Sequence, residues 1–330
     1  MDPVNRPAPR RQQAPPCLSP LLLLVATVLT PVPRADAATI HVPGDALTIQ
    51  QAIYLAGPDD VVLVAPGTYY ENLYFSENRP SITVVSEAGP SVTIIDGQGR
   101  DHVAHFVPNT SRFVLEGFTI RGGYAPWLGG GIACFGANVV LRDNIVTANQ
   151  QIEYGGGGGG IYIDPQCHPE TTIEWNLIVD NVGSNGCGIW TGTEVLVRNN
   201  TIAGNESPHA YSGGGGILCT GGWIEHNVIV LNHADDGGGI YCNGPSTIRC
   251  NDIWSNTDDQ LHGSCDQVYN FAADPLFCLP EMGDYTLDGA SPCLPGASPA
   301  ACGLVGAFDQ GCGPIAVEPT TWGQVKATYR

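Results

Sequence analysis

Short apolar runs separated by glycine or asparagine recur along the chain, and none extends into a ten-residue stretch at helical spacing. One phrase reads apolar, charged, any residue, Asn, any residue, apolar. It occurs at residues 141–146, 173–178, 197–202, 224–229 and 248–253, with a degenerate copy at 115–120. Its asparagines are Asn144, Asn176, Asn200, Asn227 and Asn251, spaced 32, 24, 27 and 24 residues apart. Five residues after each comes a second asparagine: Asn149, Asn181, Asn205, Asn232 and Asn256. A second phrase interleaves, in which Gly131, Gly160, Gly188, Gly216 and Gly239 each open a three-residue run beginning with isoleucine. Two or three short alternating strands per ~25 residues, with Gly or Asn at the turns, predict a coiled parallel sheet. The fold expected is all-β, a parallel β-helix of roughly ten coils.

Coils of such a solenoid stack ~4.8 Å apart, so equivalent residues form columns. Two asparagine columns are then structural, each side-chain amide bonding the next. The inward column Cys134, Ile163, Thr191, Cys219, Cys242 reads as small and apolar residues, with its cysteines acting as buried hydrophobes. The charged position of the first phrase reads Glu116, Arg142, Glu174, Arg198, Glu225, Arg249. Signs that alternate from coil to coil predict an ion-pair ladder on the outer wall. The interleaved arginines hold those glutamates ionised, which disqualifies them as general acids.

A solenoid needs its ends covered. Thr48 and Gln51 have capping-box spacing, and Ile49, Ala52, Ile53 and Ala56 follow at helical spacing, so a short N-terminal helix is expected to seal the first coil. Periodicity fades after Asn256 and cysteines accumulate, which predicts an irregular, cross-linked C-terminal cap. The run from Thr48 to Ile53, the strand at 61–64 and the segment Ala65-Pro66-Gly67-Thr68-Tyr69 resemble the opening of secreted right-handed β-helix proteins of the pectin-lyase-like superfamily. Asp274-Pro275-Leu276-Phe277, Asp284-Tyr285-Thr286-Leu287, Ser291-Pro292-Cys293 and Gly306-Ala307-Phe308 resemble their closing segment. The resemblance covers roughly residues 39–312 and implies a right-handed parallel β-helix. It implies no single activity, because that superfamily holds lyases, hydrolases, esterases, epimerases and adhesins.

Charge and composition narrow the partners. The 330 residues carry 13 Lys+Arg against 32 Asp+Glu, a formal charge of −19, and the only lysine is Lys326. Such a chain has no phosphate-tracking surface, so nucleic acid is not an expected partner. Arg6, Arg10 and Arg11 precede an apolar run from Leu18, and Ala35 and Ala37 sit at the spacing of a signal-peptidase site. Residues 1–37 are therefore expected to be a signal peptide, 38–312 the β-helix and 313–330 a tail. The mature chain then has no membrane span, a secreted or cell-surface location and a charge of about −21. It keeps eleven cysteines, an odd number, so at least one lacks an internal partner. None shows zinc spacing, and no metal is assigned.

The superfamily's polygalacturonate hydrolases carry Asn-Thr-Asp, Asp-Asp, Gly-His-Gly and Arg-Ile-Lys on successive coils. Here Asn256-Thr257-Asp258 and Asp259 lie side by side and Gly-His-Gly is missing. Its lyases need an acid cluster for calcium and an Arg or Lys base. Arg121 is the one arginine of the repeat region outside the ladder, and Asp235 with Asp236 leaves calcium open as a cofactor. The catalytic residues stay unassigned. The outward column of the Gly-led strand is more suggestive: Ala133, Tyr162, Trp190, Leu218, Tyr241. Rings in a row suit sugar stacking. Tyr162, Trp190, Leu218 and Tyr241 are expected to form one broad apolar surface. Loops beside it supply Glu206, His209, His233 and Asp236 for directional hydrogen bonds. The partner expected is a polysaccharide or cell-surface glycan, neutral because of the acidity. A carbohydrate binder, a polysaccharide lyase or glycoside hydrolase, and a structural surface protein or adhesin all remain open.

Overall fold

A computed structural model describes residues 37–192, 194–298 and 302–313. The expected signal peptide and tail therefore fall, but for Ala37 and Gly313, outside the described residues. Three parallel sheets wind through the rest. The first has ten strands, from Thr39–Val42 and Val61–Val64 to Ser246–Arg249 and Asp266–Val268. The second has eight, from Gly67–Tyr69 to Asp252–Trp254, and the third has eight, from Leu73–Phe75 to Leu261–Gly263. Each sheet pairs one coil with the next in parallel register, which is the ten-coil solenoid that the repeat predicts. The inward positions are fully buried: Leu141, Ile173, Val197, Ile224 and Ile248 in the first sheet, and Ile132, Ile161, Ile189, Ile217 and Ile240 in the third. β-branched side chains suit this two-dimensional packing.

Both asparagine columns form as expected. In the first, each side-chain amide donates to the next coil's Asn Oδ1, from Asn144 through Asn176, Asn200 and Asn227 to Asn251, at 2.9–3.2 Å. The same Oδ1 also accepts the preceding coil's backbone N–H, as Asn227 does from Asn200 at 2.9 Å. A second proton goes back to a carbonyl, Asn200 to Ile173 at 2.9 Å. The second column repeats the scheme from Asn149 to Asn256. Both run one rung further than the phrases show, onto Asn270 and Gln260. Before each first-column asparagine one residue bends the chain through the left-handed region: Asp143, Trp175, Asn199, His226 and Cys250.

The glycine phrase has a steric cause. A Cβ at Gly160, Gly188 or Gly216 would stand 2.6 Å from the next coil's carbonyl and 3.1 Å from a second-column amide, that of Asn181, Asn205 or Asn232. The two phrases interleave because the glycines make room for the amides.

Helix α1, Ile49–Leu55, lies where the capping spacing predicts it. Thr48 accepts from the Gln51 N–H at 3.1 Å, and Gln51 accepts from the Leu47 N–H at 3.0 Å. Both carboxylate oxygens of Glu71 take the N–H groups of Ile49 and Gln50, a favourable charge for a helix N-terminus. Ile49, Ala52 and Ile53 are buried.

The C-terminal segment does more than cap. Strands Phe277–Leu279, Asp284–Asp288 and Gln310–Cys312 form a small sheet of their own. Leu287, Cys293, Leu294, Leu304 and Val305 then pack on the outward side of the second sheet, against Leu177, Val179, Ala203, Val228 and Val230. Gly306 donates to the His226 carbonyl, and Ala307 to Thr201. The expected cross-links are there: Cys242–Cys265, Cys250–Cys302 and Cys278–Cys312. They correct one reading, because Cys242 is a bridge partner and not a simple hydrophobe. Cys134, Cys167, Cys187, Cys219 and Cys293 are buried thiols.

The charged column is in register from Glu116 to Arg249. Its contacts are pairwise: Arg142 to Glu116 and Arg198 to Glu174, each at 2.6 Å. Two substitutions separate the two kinds of column. Gly188→Ala, which forces a Cβ into the asparagine column, lowers the melting temperature by ~6–12 °C regardless of salt. Arg198→Glu, on the half-exposed wall, costs about 1 kcal/mol at low ionic strength and loses most of that effect in 1 M salt. Thermal melts at both salt concentrations check this pair.

Candidate functional site

The outward column of the third sheet begins earlier and ends later than its phrase. In register it reads Tyr74, His105, Ala133, Tyr162, Trp190, Leu218, Tyr241, His262. Coil spacing governs what these rings do. A separation of ~4.8 Å is close to an aromatic stacking distance, which lets rings on adjacent coils turn their faces toward each other, although Tyr74 and His105 meet edge to face. Tyr162 and Trp190 stack with centroids 4.7 Å apart and planes 22° off parallel. Tyr241 and His262 stack at 5.1 Å and 7°. The expectation of a broad outward platform fails for this reason. Tyr162 is buried, 5% exposed, and burial beside Asp164 drives its phenol pKa up. It is not a ligand surface.

Leu218 breaks the column. It has no ring, and it separates Trp190 from Tyr241 by two coils, ~9.6 Å. Trp190 has one face on Tyr162 and Tyr241 has one on His262, which leaves a face of each beside the gap. The gap is a hollow of about 300 Å³, lined by Trp190, Leu218, Tyr241, Tyr211, Asp236 and Asn243, with Gly213 and Asn185 at its edge. A Cβ on Gly213 would come within 3.0 Å of the Tyr241 ring, so glycine there keeps the hollow open. A ring inserted midway would meet both walls at about the 4.7 and 5.1 Å of the existing stacks.

The loops divide the other expected residues. Asp236 lines the hollow and is exposed. Glu206 and His233 are register partners on adjacent coils, exposed, and outside the lining. His209 also lies outside it, edge-on to Tyr154 at 5.9 Å, with Nε2 3.3 Å from the Ile152 carbonyl. Tyr211, which the sequence places in the same loop as Glu206 and His209 without assigning it a contact, and Asn243, which it does not single out, complete the lining. Tyr211 is 84% exposed and adopts φ +60, and its N–H donates to Asp235 Oδ2 at 2.7 Å. The signals for it were an aromatic in a left-handed turn and an acid in the equivalent loop one coil on. Among the described residues no group of three or more His, Cys, Asp or Glu gathers as metal ligands.

The fold agrees with a comparison. Residues 50–202 match the family model for a right handed beta helix region. The chain is a parallel β-helix protein, and over residues 50–202 it is similar to right-handed β-helix regions. The hand rests on that match, and the coil register supports the parallel winding. No curated protein matches this β-helix chain. Among the described residues no helix is long and apolar enough to cross a membrane.

The imidazole and carboxyl groups with shifted acidity lie outside the lining of the hollow. Arg121, the free cation of the sequence reading, is paired with Asp96 at 3.0 Å. Burial lowers the pKa of His226 in the cleft beside the C-terminal segment. Asp252 is the largest departure among the carboxyls: burial raises it to about 6, against one backbone hydrogen bond from Ala273 and one contact, 3.2 Å, to Cys293 Sγ. It lies under the C-terminal segment with no route to a substrate, so its role is structural.

A folded-state pKa above the unfolded value means folding favours the protonated acid. Asp252 thus contributes stability below pH ~4 and loses it as the pH rises through about 6. Asp252→Asn keeps the shape without the charge. Its melting temperature exceeds that of the wild type at pH 7, and the difference closes by pH 4. A constant difference across that range would show that the buried carboxyl does not titrate as argued.

Proposed function

We propose that this β-helix protein binds carbohydrate, and that one sugar ring of a glycan chain inserts between Trp190 and Tyr241 over Leu218. The observation that carries the reading is the gap in the ring ladder. Two aromatic faces flank a slot one ring thick, with an apolar floor and a polar rim. Sugar rings have apolar faces and hydroxyl edges, and such a slot matches both. The Asp236 carboxylate and the Asn243 amide accept and donate at the rim, and Tyr211 stands over the mouth. The lining holds one acid and no cation, in a chain of formal charge −19, so the favoured ligand is a neutral glycan. Export fits the three disulfides and the N-terminal charge pattern, and places the protein where it meets extracellular glycans.

The lyase and hydrolase readings gain nothing here. Arg121 is held by Asp96, and the most perturbed carboxyl, Asp252, is covered. Trp190→Ala, the obvious variant, is a poor test. Trp190 is half-buried on Tyr162 with Gly157 and Gly192 against its edges, so its loss leaves a hole.

Leu218→Tyr is cleaner, because a ring there continues the Tyr162–Trp190 ladder and fills the slot. It keeps or raises the melting temperature and abolishes retention on neutral polysaccharide in affinity electrophoresis. Tyr211→Ala removes an exposed wall and weakens retention about tenfold with no change in melting. Retention unchanged in Leu218→Tyr would sink the slot.

A further inference from the structure

The connection from the third sheet back to the first is short in most coils. It takes two residues after Cys134, two after Cys219 and three after Cys242, but eight, 164–171, after Ile163. This excursion is the longest of these third-to-first-sheet connections, and it brings Cys167 back over the preceding coil. Cys167 Sγ lies 3.0 Å from Cys134 Sγ, both side chains are buried, and Cys167 Sγ is 3.3 Å from the Cys134 carbonyl. His168 and Thr171 also bond back to the Ala137 carbonyl, so the excursion is already docked at the strand that holds its partner sulfur. The other buried thiols differ. Cys187 has a backbone contact, Cys219 lies 3.8 Å from a sulfur already bonded to Cys265, and Cys293 faces Asp252.

We propose that Cys134 and Cys167 are a covalent modification site, a fourth disulfide that clasps the 164–171 excursion to the preceding coil. The oxidant is a small-molecule or protein disulfide, the class that must also make the other three bridges. The Cys167 thiolate attacks one oxidant sulfur, which forms a mixed disulfide and releases one thiol. The Cys134 thiolate then attacks Cys167 Sγ and expels the second thiol. One S–S bond forms in the protein and one breaks in the oxidant. Two protons and two electrons pass from the cysteine pair to the two released thiols. Cys167 is the attacking sulfur because it sits on the excursion, which closes last, whereas Cys134 sits in a core strand. The step takes place during folding, before the excursion closes over both sulfurs. The clasp also bears on the hollow, because Gly192 lies between Pro165 of the excursion and the Trp190 ring.

The test is peptide mapping of the full chain, folded with glutathione disulfide, denatured and alkylated before any reductant is added. Cys187, Cys219 and Cys293 take the label. Cys134 and Cys167 stay unlabelled and appear in one linked peptide, 2 Da below the sum of the reduced pair. The bridges Cys242–Cys265, Cys250–Cys302 and Cys278–Cys312 in the same map report that the oxidant sufficed. Full labelling of Cys134 and Cys167 in a sample with those three bridges intact overturns the proposal. A double-mutant cycle supplies a second readout. Cys134→Ala and Cys167→Ala each lower the melting temperature by ~5–10 °C, and the double variant falls no further than the worse single one. Additive losses would mean two packed thiols and no bond.

Discussion

The asparagine amide is the group on which the rest of this molecule depends. A parallel solenoid leaves polar backbone at every bend, buried between coils where water does not reach. From the second rung of each column the Asn meets that need with all its valences, as Asn176 does: Oδ1 takes two protons from the coil before, and Nδ2 gives one to the coil after and one to a carbonyl behind. No hydroxyl or carboxylate has that donor and acceptor count. Two such columns fix the position of each bend relative to its neighbours. The glycines at 160, 188 and 216 follow from them, since any Cβ there would collide with the next coil and crowd the amide.

The coil spacing that the amides hold also determines what the outer columns do. Opposite charges in register become ion pairs, and rings in register become stacks. A stack is closed to ligands because its faces are occupied. A binding slot in such a column therefore arises where a ring is missing. Leu218 makes the hollow by standing without a ring between Trp190 and Tyr241, whereas at the other break, Ala133, the Phe135 ring fills the space between His105 and Tyr162.

Most of the fold was legible in the sequence because a solenoid repeats its physics. Five copies of one asparagine phrase identify a column even when single strands are only three residues long. The N-terminal helix was legible from Thr48, Gln51 and the spacing of its apolar face. The outer covering of the second sheet was not. Leu177, Val179, Val228 and Val230 read as ordinary strand residues, and nothing local says that Cys293, Leu294, Leu304 and Val305 will lie on them. The site was half legible for a similar reason. The column of Trp190, Leu218 and Tyr241 was visible, but orientation was not. Whether rings face out or face each other depends on the ~4.8 Å rise, which turns Tyr162 from a ligand contact into a buried shelf. Tyr211 and Asp235 sit on separate coils, 24 residues apart, and only the stacking of those coils makes one hold the other.

The spacing of the asparagines varies from 24 to 32 residues, yet the amide contacts of the first column stay within 2.9–3.2 Å. The columns therefore do not register chain length. Extra residues are expelled into connections such as 164–171, and the core does not change. This separation explains why chemistry collects in the connections that flank the third sheet. Connections there are free to lengthen, to hold an aromatic in a left-handed turn or to carry cysteine, because the amide columns have already set the coil. The same freedom has a cost, since a long connection gains nothing from the columns and must be fastened by contacts of its own. Tyr211 is fastened by Asp235 and the 164–171 excursion by its hydrogen bonds to Ala137, so the parts of the molecule that vary most are also those that need individual ties.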